Sequence, residues 1–203
     1  MVHPRTRLAS APLIVALLLA ATGAAAQPQA DIIGVYFDPE GLHNCRDCIQ
    51  IVMLFPVYVI VRDLTEPAIA VEFNASVDPS ATVIQLAILL PPGLVYIVPP
   101  GENGDFMIGF AEPSPTDLAV VVTIQYIFIA DGWAEWTIGP VANPALPGLP
   151  AYFPAGNPEV ALPLIPSSES VDESVALATT YCDYCYGLPI EETPWSTVKG
   201  LYR

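Results

Sequence analysis

The chain has 203 residues, of which 53% are hydrophobic and 13% are charged, so it is too apolar for a disordered protein and short enough for one domain. Its 21 acidic residues against 6 Lys and Arg give a net charge of −15, and no basic cluster compensates, which excludes nucleic-acid binding. The 23 prolines and 13 glycines disfavour long helices and favour short strands joined by turns.

The first 26 residues have the order of a secretory signal peptide. Arg5 and Arg7 precede an apolar run at residues 8–23, and three alanines ending at Ala26 supply a small-residue cleavage site. An uncleaved anchor is the alternative, but it would need about 20 apolar residues. We expect cleavage near Ala26 and export to the periplasm or the extracellular space. Because the later apolar runs are short and interrupted, the sequence predicts no membrane span in the mature chain.

Residues 31–139 show the pattern of a series of β-strands. Runs rich in β-branched and aromatic residues are separated by turns rich in Pro, Gly, Asp and Asn. Within one run, Val71 and Phe73 alternate with Glu72 and Asn74, as expected for a strand with one buried face. The predicted strands cover residues 32–37, 51–62, 69–76, 82–90, 95–98, 106–110, 118–129 and 133–138. We predict an all-β fold, an Ig-like antiparallel β-sandwich of about 7–9 strands.

The composition changes after residue 139. Eight prolines between residues 140 and 166 exclude a regular helix or a central strand. Apolar residues such as Leu146 and Tyr152 favour an extended strap over the sandwich rather than a free linker. Residues 175–180 are predicted to form the last strand, followed by an ordered tail. We therefore expect a signal peptide (1–26), a sandwich body (27–139), and a strap, last strand and tail (140–203) of the same domain.

Four cysteines form two CxxC pairs at opposite ends of the mature chain, Cys45/Cys48 and Cys182/Cys185. Two such turns can hold Zn²⁺ with four thiolates, and a single CxxC can be a redox-active pair. In an oxidising compartment they form two disulfides, either within each pair or between the pairs. Export favours the disulfides as a structural clamp, and the connectivity cannot be deduced from sequence. A secreted thiol-disulfide protein remains the alternative function.

Other candidate site residues are few. His43 is the sole histidine after the signal peptide, and no Gly-x-Ser-x-Gly motif accompanies it, so a Ser-His-Asp triad is disfavoured. The acidic loop Glu102, Asn103 and Asp105 is the best candidate for a calcium site, although it lacks EF-hand spacing. We otherwise expect no cofactor.

Two tryptophans near the end of the predicted body are candidate ligand contacts. Trp133 and Trp136 lie in one predicted strand and could stack on a sugar ring, although aromatic residues in strands more often belong to the core.

Both ends of the mature chain resemble a group of exported, uncharacterised bacterial proteins. The resemblance rests on Asp31 to Gly41, which contains Gly-Val-Tyr-Phe-Asp, and on the ending Trp195-Ser-Thr-Val-Lys-Gly-Leu-Tyr-Arg203. It implies an exported bacterial β-sandwich whose tail belongs to the fold, and no activity. In the tail, Trp195, Val198 and Leu201 have the spacing of a short amphipathic helix.

The sequence lacks a convergent set of catalytic residues. We therefore expect an exported, non-enzymatic interaction or structural module of the cell envelope or extracellular space. Its partner would be a protein or a glycan, and a carbohydrate-binding sandwich is a further alternative. The sequence does not indicate the oligomeric state.

Overall fold

The computed structural model describes residues 31–78, 83–100, 104–167, 174–182 and Cys185. The predicted signal peptide and the predicted helix at Trp195, Val198 and Leu201 lie outside the described residues. The strands are β1 (Ile32–Tyr36), β2 (Cys45–Arg46), β3 (Leu54–Arg62), β4 (Ala68–Val77), β5 (Val83–Leu89), β6 (Leu94–Val98), β7 (Asp105–Phe110), β8 (Leu118–Phe128), β9 (Trp133–Gly139), β10 (Ala151–Pro154), β11 (Leu162–Pro163), β12 (Ile165–Pro166) and β13 (Ser174–Thr179).

The strands form the two sheets of a sandwich. The five-stranded sheet has the order β12-β1-β3-β8-β5, and the eight-stranded sheet has the order β11-β10-β4-β9-β13-β2, with β7 also on β4 and β6 on β7. Glu72 of β4 pairs with Ala151 of β10 and with Met107 of β7, so β10 and β7 flank β4 on opposite sides. In the five-stranded sheet β5 is an edge strand next to β8. In the eight-stranded sheet β6 is an edge strand next to β7, since no other described strand pairs with it.

Alternating apolar side chains fill the space between the sheets. In β3, Phe55, Val57 and Val59 are buried while the residues between them are partly exposed. The ring of Phe55 stacks on that of Phe128 at 5.5 Å, and Phe73 of β4 stacks on Phe106 of β7 at 5.0 Å. Each large side chain buried in this way contributes about 1.5–3 kcal/mol, so the core supplies most of the driving force for folding.

The predicted all-β sandwich is confirmed. Within the described ranges, nine strands have five or more residues, at the upper end of the predicted number, and four others are short. Two short pairings are parallel, β1 with β12 and β2 with β13, whereas the long strands pair antiparallel.

One predicted strand begins later than expected. The run at residues 51–62 predicted a continuous strand, but β3 begins at Leu54. Met53 N donates to Gln50 O at 3.1 Å, which closes a turn. Val52 has φ +58°, a conformation that β-branched residues rarely adopt. The apolar run therefore extends beyond the strand: Ile51, Val52 and Met53 belong to the turn, and their side chains are exposed.

The proline-rich segment makes more strand pairings than its composition predicts. β10 pairs with β4, β11 pairs with β10, and β12 pairs with β1 of the other sheet. Before β10, Ala145 N donates to Glu72 Oε1 at 2.6 Å. The buried Tyr152 donates its hydroxyl to Asp31 Oδ1 at 3.0 Å, and burial together with this carboxylate raises the pKa of Tyr152. Short edge strands tolerate proline because a missing N–H there breaks no ladder.

A search for membrane-spanning helices within the described residues finds none long and apolar enough to cross a bilayer.

Candidate functional site

Two disulfides clamp the two CxxC turns together. Cys45 of β2 bonds to Cys185 with their Cα atoms 5.8 Å apart, and Cys48 bonds to Cys182 with their Cα atoms 4.4 Å apart. The pairs are 140 and 134 residues apart in sequence, so both bonds run between the turns rather than within them.

Backbone hydrogen bonds reinforce this clamp. Cys48 N donates to Tyr181 O at 3.0 Å and Ile49 N donates to Thr179 O at 3.1 Å, next to the parallel pairing of β2 with β13. A redox-active CxxC pairs its own two cysteines, and a zinc site needs free thiolates. Because each cysteine here is bonded to the opposite turn, the arrangement is that of a structural clamp.

The two candidate tryptophans lie in different environments. Trp136 is only 1% exposed, with its ring 5.7 Å from Phe37 and 6.0 Å from Phe55, so it is a core residue and cannot contact a ligand at the surface. Trp133 at the start of β9 is 41% exposed. It pairs with Thr179, two residues before the exposed Tyr181, which places both aromatic residues at the clamped end of the sandwich.

The candidate calcium loop is described only in part, since Glu102 and Asn103 lie outside the described residues. The carboxylate of Asp105 accepts a hydrogen bond from Asn74 Nδ2 at 2.8 Å and another from Ala142 N at 3.2 Å. Asp105 therefore connects β4 to the proline-rich segment. Within the described part of the chain, no group of three or more His, Cys, Asp or Glu side chains is placed to hold a metal ion.

His43 contacts a carboxylate in the turn after β1. Its Nδ1 lies 3.0 Å from Asp38 Oδ2, and the imidazole is 70% exposed. The Asp38 carboxylate also accepts hydrogen bonds from Leu42 N at 3.0 Å and His43 N at 2.6 Å. Burial opposes ionisation of Asp38, but these hydrogen bonds and the nearby imidazole outweigh it and lower the pKa of Asp38.

The lowered pKa of Asp38 gives a prediction for acid unfolding. A carboxyl group whose pKa is lower in the folded state stabilises the fold above its unfolded-state pKa of about 3.9, and this contribution is lost as pH falls through the folded-state pKa. We expect Asp38→Asn to reduce the free energy of unfolding at neutral pH, and the deficit to disappear at low pH. Urea unfolding at a series of pH values measures this difference in free energy of unfolding between the variant and the parent. The control is Glu40→Gln, because Glu40 is an exposed carboxylate two residues away. A deficit independent of pH would contradict the assignment.

Strands β5 and β6 both carry exposed apolar side chains. Leu86 is 54% exposed and Ile97 is 51% exposed. We call the following six exposed aliphatic side chains the β5–β6 surface: Ile84, Leu86, Leu89, Val95, Ile97 and Val98. The whole segment 83–98 contains no charged residue. Sequence analysis predicted both strands but not this surface, because the apolar pattern does not show which strands are outermost.

Both strands carry a β-bulge near the middle. The register of β5 against β8 shifts between Gln85 and Ala87, which makes Leu86 the extra residue. The register of β6 against β7 shifts between Tyr96 and Val98, which makes Ile97 the extra residue. Bulges at sheet edges bend the strand and re-aim side chains, so each edge presents an aliphatic side chain at an irregular point of its backbone.

Comparisons with known proteins identify the scaffold. No family model matches the sequence, and no curated protein matches it. A cohesin module from a family 33 glycoside hydrolase of Clostridium perfringens superposes with a TM-score of 0.51 at 8% identity, over 74% of this chain and 97% of that one. This chain is similar in fold to that cohesin module.

Two further cohesins align less well. The sixth cohesin of scaffoldin B from Acetivibrio cellulolyticus, in complex with a Cel5 dockerin, has a TM-score of 0.47 at 8% identity, over 74% of this chain and 99% of that one. A non-cellulosomal cohesin from Archaeoglobus fulgidus has a TM-score of 0.43 at 8% identity, over 73% and 91%.

Proposed function

We propose that this chain is an exported, non-enzymatic β-sandwich module that binds a protein partner through the β5–β6 surface. The predicted signal peptide supports export, and the two disulfides suit an oxidising compartment. The fold alone does not specify a partner, because one sandwich scaffold serves many unrelated functions. The argument for binding therefore comes from the surface.

The observation that carries the proposal is the exposure of an uncharged aliphatic segment. The similarly apolar strand β8 lies between β3 and β5, and its Val121 and Val122 are buried. By contrast, Leu86 and Ile97 lie on strands that are outermost among the described residues, and both side chains are exposed. Grouped aliphatic side chains at a free edge are costly in a soluble protein, and natural edges are normally protected by charges. A partner that covers them removes this cost.

Substitution at this surface tests the proposal. We expect Leu86→Glu and Ile97→Glu, each with an unchanged melting temperature, to weaken partner binding by about tenfold or more, because a carboxylate would be buried in an apolar contact. Mature protein would be immobilised and exposed to secreted and envelope fractions of the source organism, and the retained protein would be identified and titrated. Leu42→Glu is the matched control, since Leu42 is 72% exposed but lies in the turn after β1.

Results from the same panel would contradict the proposal. If the parent, Leu86→Glu and Ile97→Glu bind the partner with equal affinity, the β5–β6 surface is not the binding site. Turnover of a substrate that is abolished by replacing one carboxylate would make the protein an enzyme.

A glycan partner is the second candidate, favoured by the exposure of Trp133 and Tyr181 at the clamped end. Aromatic faces of this kind stack on sugar rings. In the same panel, retention of a glycan that is lost with Trp133→Ala and kept with Leu86→Glu would move the binding site to that end.

A further inference from the structure

We infer that the C-terminal segment from Trp195 to Arg203 packs its apolar side chains on an exposed patch of the five-stranded sheet, next to the disulfide clamp. This contact lies within one chain, so it goes beyond the proposed function and does not depend on the proposed partner.

The patch is a row of aliphatic side chains on the outer face of the five-stranded sheet. Leu54 of β3 pairs with Ile127 of β8, and Ile127 pairs in turn with Ile84 of β5. The adjacent residues Phe55 and Phe128 are buried between the sheets, so the row faces away from the core. Leu54 is 48% exposed and Ile84 is 43% exposed. One face of one sheet therefore presents three neighbouring aliphatic residues to solvent.

Two further residues extend the row toward the clamp. Ile129, two residues after Ile127, is 50% exposed. Val52 is 73% exposed, and its N–H donates to Phe128 O at 2.8 Å, which holds it beside the end of β8. We call the following four residues the β3–β8 surface: Val52, Leu54, Ile127 and Ile129.

The other end of the same face is covered by the chain itself. Ile60 alternates along β3 with the core residues Val59 and Val61, so it points outward, yet it is completely buried. A Cβ atom at Gly41 would lie 3.4 Å from Ile60 Cδ1 and 3.8 Å from Leu118 Cδ1, so the turn after β1 lies over these two side chains. Among the described residues, no comparable segment covers the β3–β8 surface.

The C-terminal segment starts close enough to reach this surface. Cys48 is bonded to Cys182 with their Cα atoms 4.4 Å apart, and Val52 follows Cys48 by four residues, at most about 14 Å of chain. Nine residues separate Cys185 from Trp195, and they span about 30 Å when extended. The segment can therefore reach the β3–β8 surface without any rearrangement of the sandwich.

The sequence of the segment suits an apolar surface with acidic surroundings. In the helix predicted for it, Trp195, Val198 and Leu201 share one face because they are three residues apart. Lys199 and Arg203 are four residues apart and flank that face on one side. Packing the apolar face against the sheet would leave both basic groups at the border of the contact.

An exposed carboxylate stands at that border. Asp131 lies two residues after Ile129, and no described residue forms an ion pair or a hydrogen bond with its carboxylate. From residue 63 to residue 198 the sequence contains no Lys, Arg or His, so Lys199 and Arg203 are the nearest basic groups in this part of the sequence. Exposed ion pairs contribute little, so we assign most of the affinity to the apolar contact and the orientation to the charges.

Charge and linkage favour this segment over a second copy of the chain. Two copies would each bring a net charge of −15 to the contact. A segment joined to the clamp by a short linker is instead present at a millimolar effective concentration, so even a small apolar face can dock.

Trypsin cleavage after Lys199 tests the inference in the full mature chain. Lys199 is the only tryptic site between Arg62 and Arg203, so the loss of residues 200–203 gives a distinct intact mass. The protease cuts the undocked population, so the cleavage rate reports the docked fraction. We expect this bond to be cut at least about tenfold more slowly in the protein than in a synthetic peptide of residues 186–203.

Two surface variants separate apolar docking from charge attraction. Leu54→Glu and Ile129→Glu each add a carboxylate, so attraction alone would hold Lys199 more tightly. We expect both to raise the cleavage rate several-fold toward that of the peptide, because the carboxylate would be buried in an apolar contact. Leu42→Glu is the matched control, since it adds the same charge at an exposed residue outside the surface and should keep the parent rate.

A variant of the segment itself completes the panel. Trp195→Ala is expected to raise the cleavage rate as the surface variants do, because it removes the largest apolar side chain of the segment. Melting temperatures show which variants keep the fold. Ile129→Glu lies in a turn after β8, so it retains the test if Leu54→Glu destabilises β3.

Each contrary result overturns the inference in a different way. If trypsin cuts the parent as fast as the peptide, the segment is not docked. If Leu54→Glu and Ile129→Glu both keep the protection, the segment packs elsewhere. If light scattering shows a dimer and the protection is lost on dilution, the segment docks on a second copy. None of these outcomes involves Leu86 or Ile97, so failure here is distinct from failure of the proposed function.

Discussion

Replacing all four cysteines by serine is expected to lower the free energy of unfolding by about 7 kcal/mol, whereas removing either disulfide alone should cost about 2–3 kcal/mol. The bonds close loops of nearly the same length, with sequence separations of 140 and 134. When one bond is removed, the other still closes the long loop, so only a small ring of about eight residues is opened. In the chain-entropy model, the first closure of the long loop contributes about 5 kcal/mol. Urea unfolding of the three variants measures the effect.

The two pairwise variants control for each other. Cys45→Ser with Cys185→Ser and Cys48→Ser with Cys182→Ser remove equivalent numbers of sulfur atoms, so similar small losses are expected from both. A loss near 5 kcal/mol from one of them alone would contradict the redundancy and show that this bond has a role beyond loop closure. Intact mass with and without thiol alkylation under denaturing conditions confirms which bonds are present.

Trp136→Ala is expected to destabilise the fold by about 3–5 kcal/mol. Trp136 contacts the rings of Phe37, Phe55 and Tyr126, and it is almost completely buried between the sheets. Removing the indole deletes its edge-to-face contacts with these three rings and leaves a large cavity between the sheets. Thermal or urea unfolding measures the loss.

Trp133→Ala supplies the matched control, three residues away in the same strand. Because Trp133 is partly exposed, its loss should change stability by less than about 1.5 kcal/mol. Equal destabilisation by the two substitutions would contradict the assignment of Trp136 to the core and Trp133 to the surface.

The long strands could be predicted from local patterns. In β4 the alternation of Val71 and Phe73 with Glu72 and Asn74 correctly marks a strand, because a side chain every second position faces the core. Glu72 is nevertheless buried, since the segment before β10 crosses over it and Ala145 N donates to its carboxylate. That contact joins residues far apart in sequence, and a local pattern does not contain it.

The candidate site could be predicted only in part. The four cysteines were identifiable as disulfide candidates, but whether they pair within or between the two CxxC turns could not be predicted, because the pairing depends on the packing of β2 beside β13. The β5–β6 surface was not predictable, because the aliphatic runs of β5 and β8 look alike and only the sheet order shows which of them is outermost. The positive φ of Val52 likewise reflects a turn fixed by its N–H donating to Phe128 O at 2.8 Å, rather than any preference of valine.

The clamp also determines how the molecule carries tension. Cys45 and Cys185 close a covalent ring that contains β2 to β13 and, of the described strands, leaves only β1 outside it. A pull applied to residue 31 and to the chain beyond Cys185 would pass through the Sγ–Sγ bond and bypass the core. Such a load would peel β1 away from β3 and β12 while the rest of the sandwich bears no strain. The ring makes the body of the protein mechanically inextensible between its two ends.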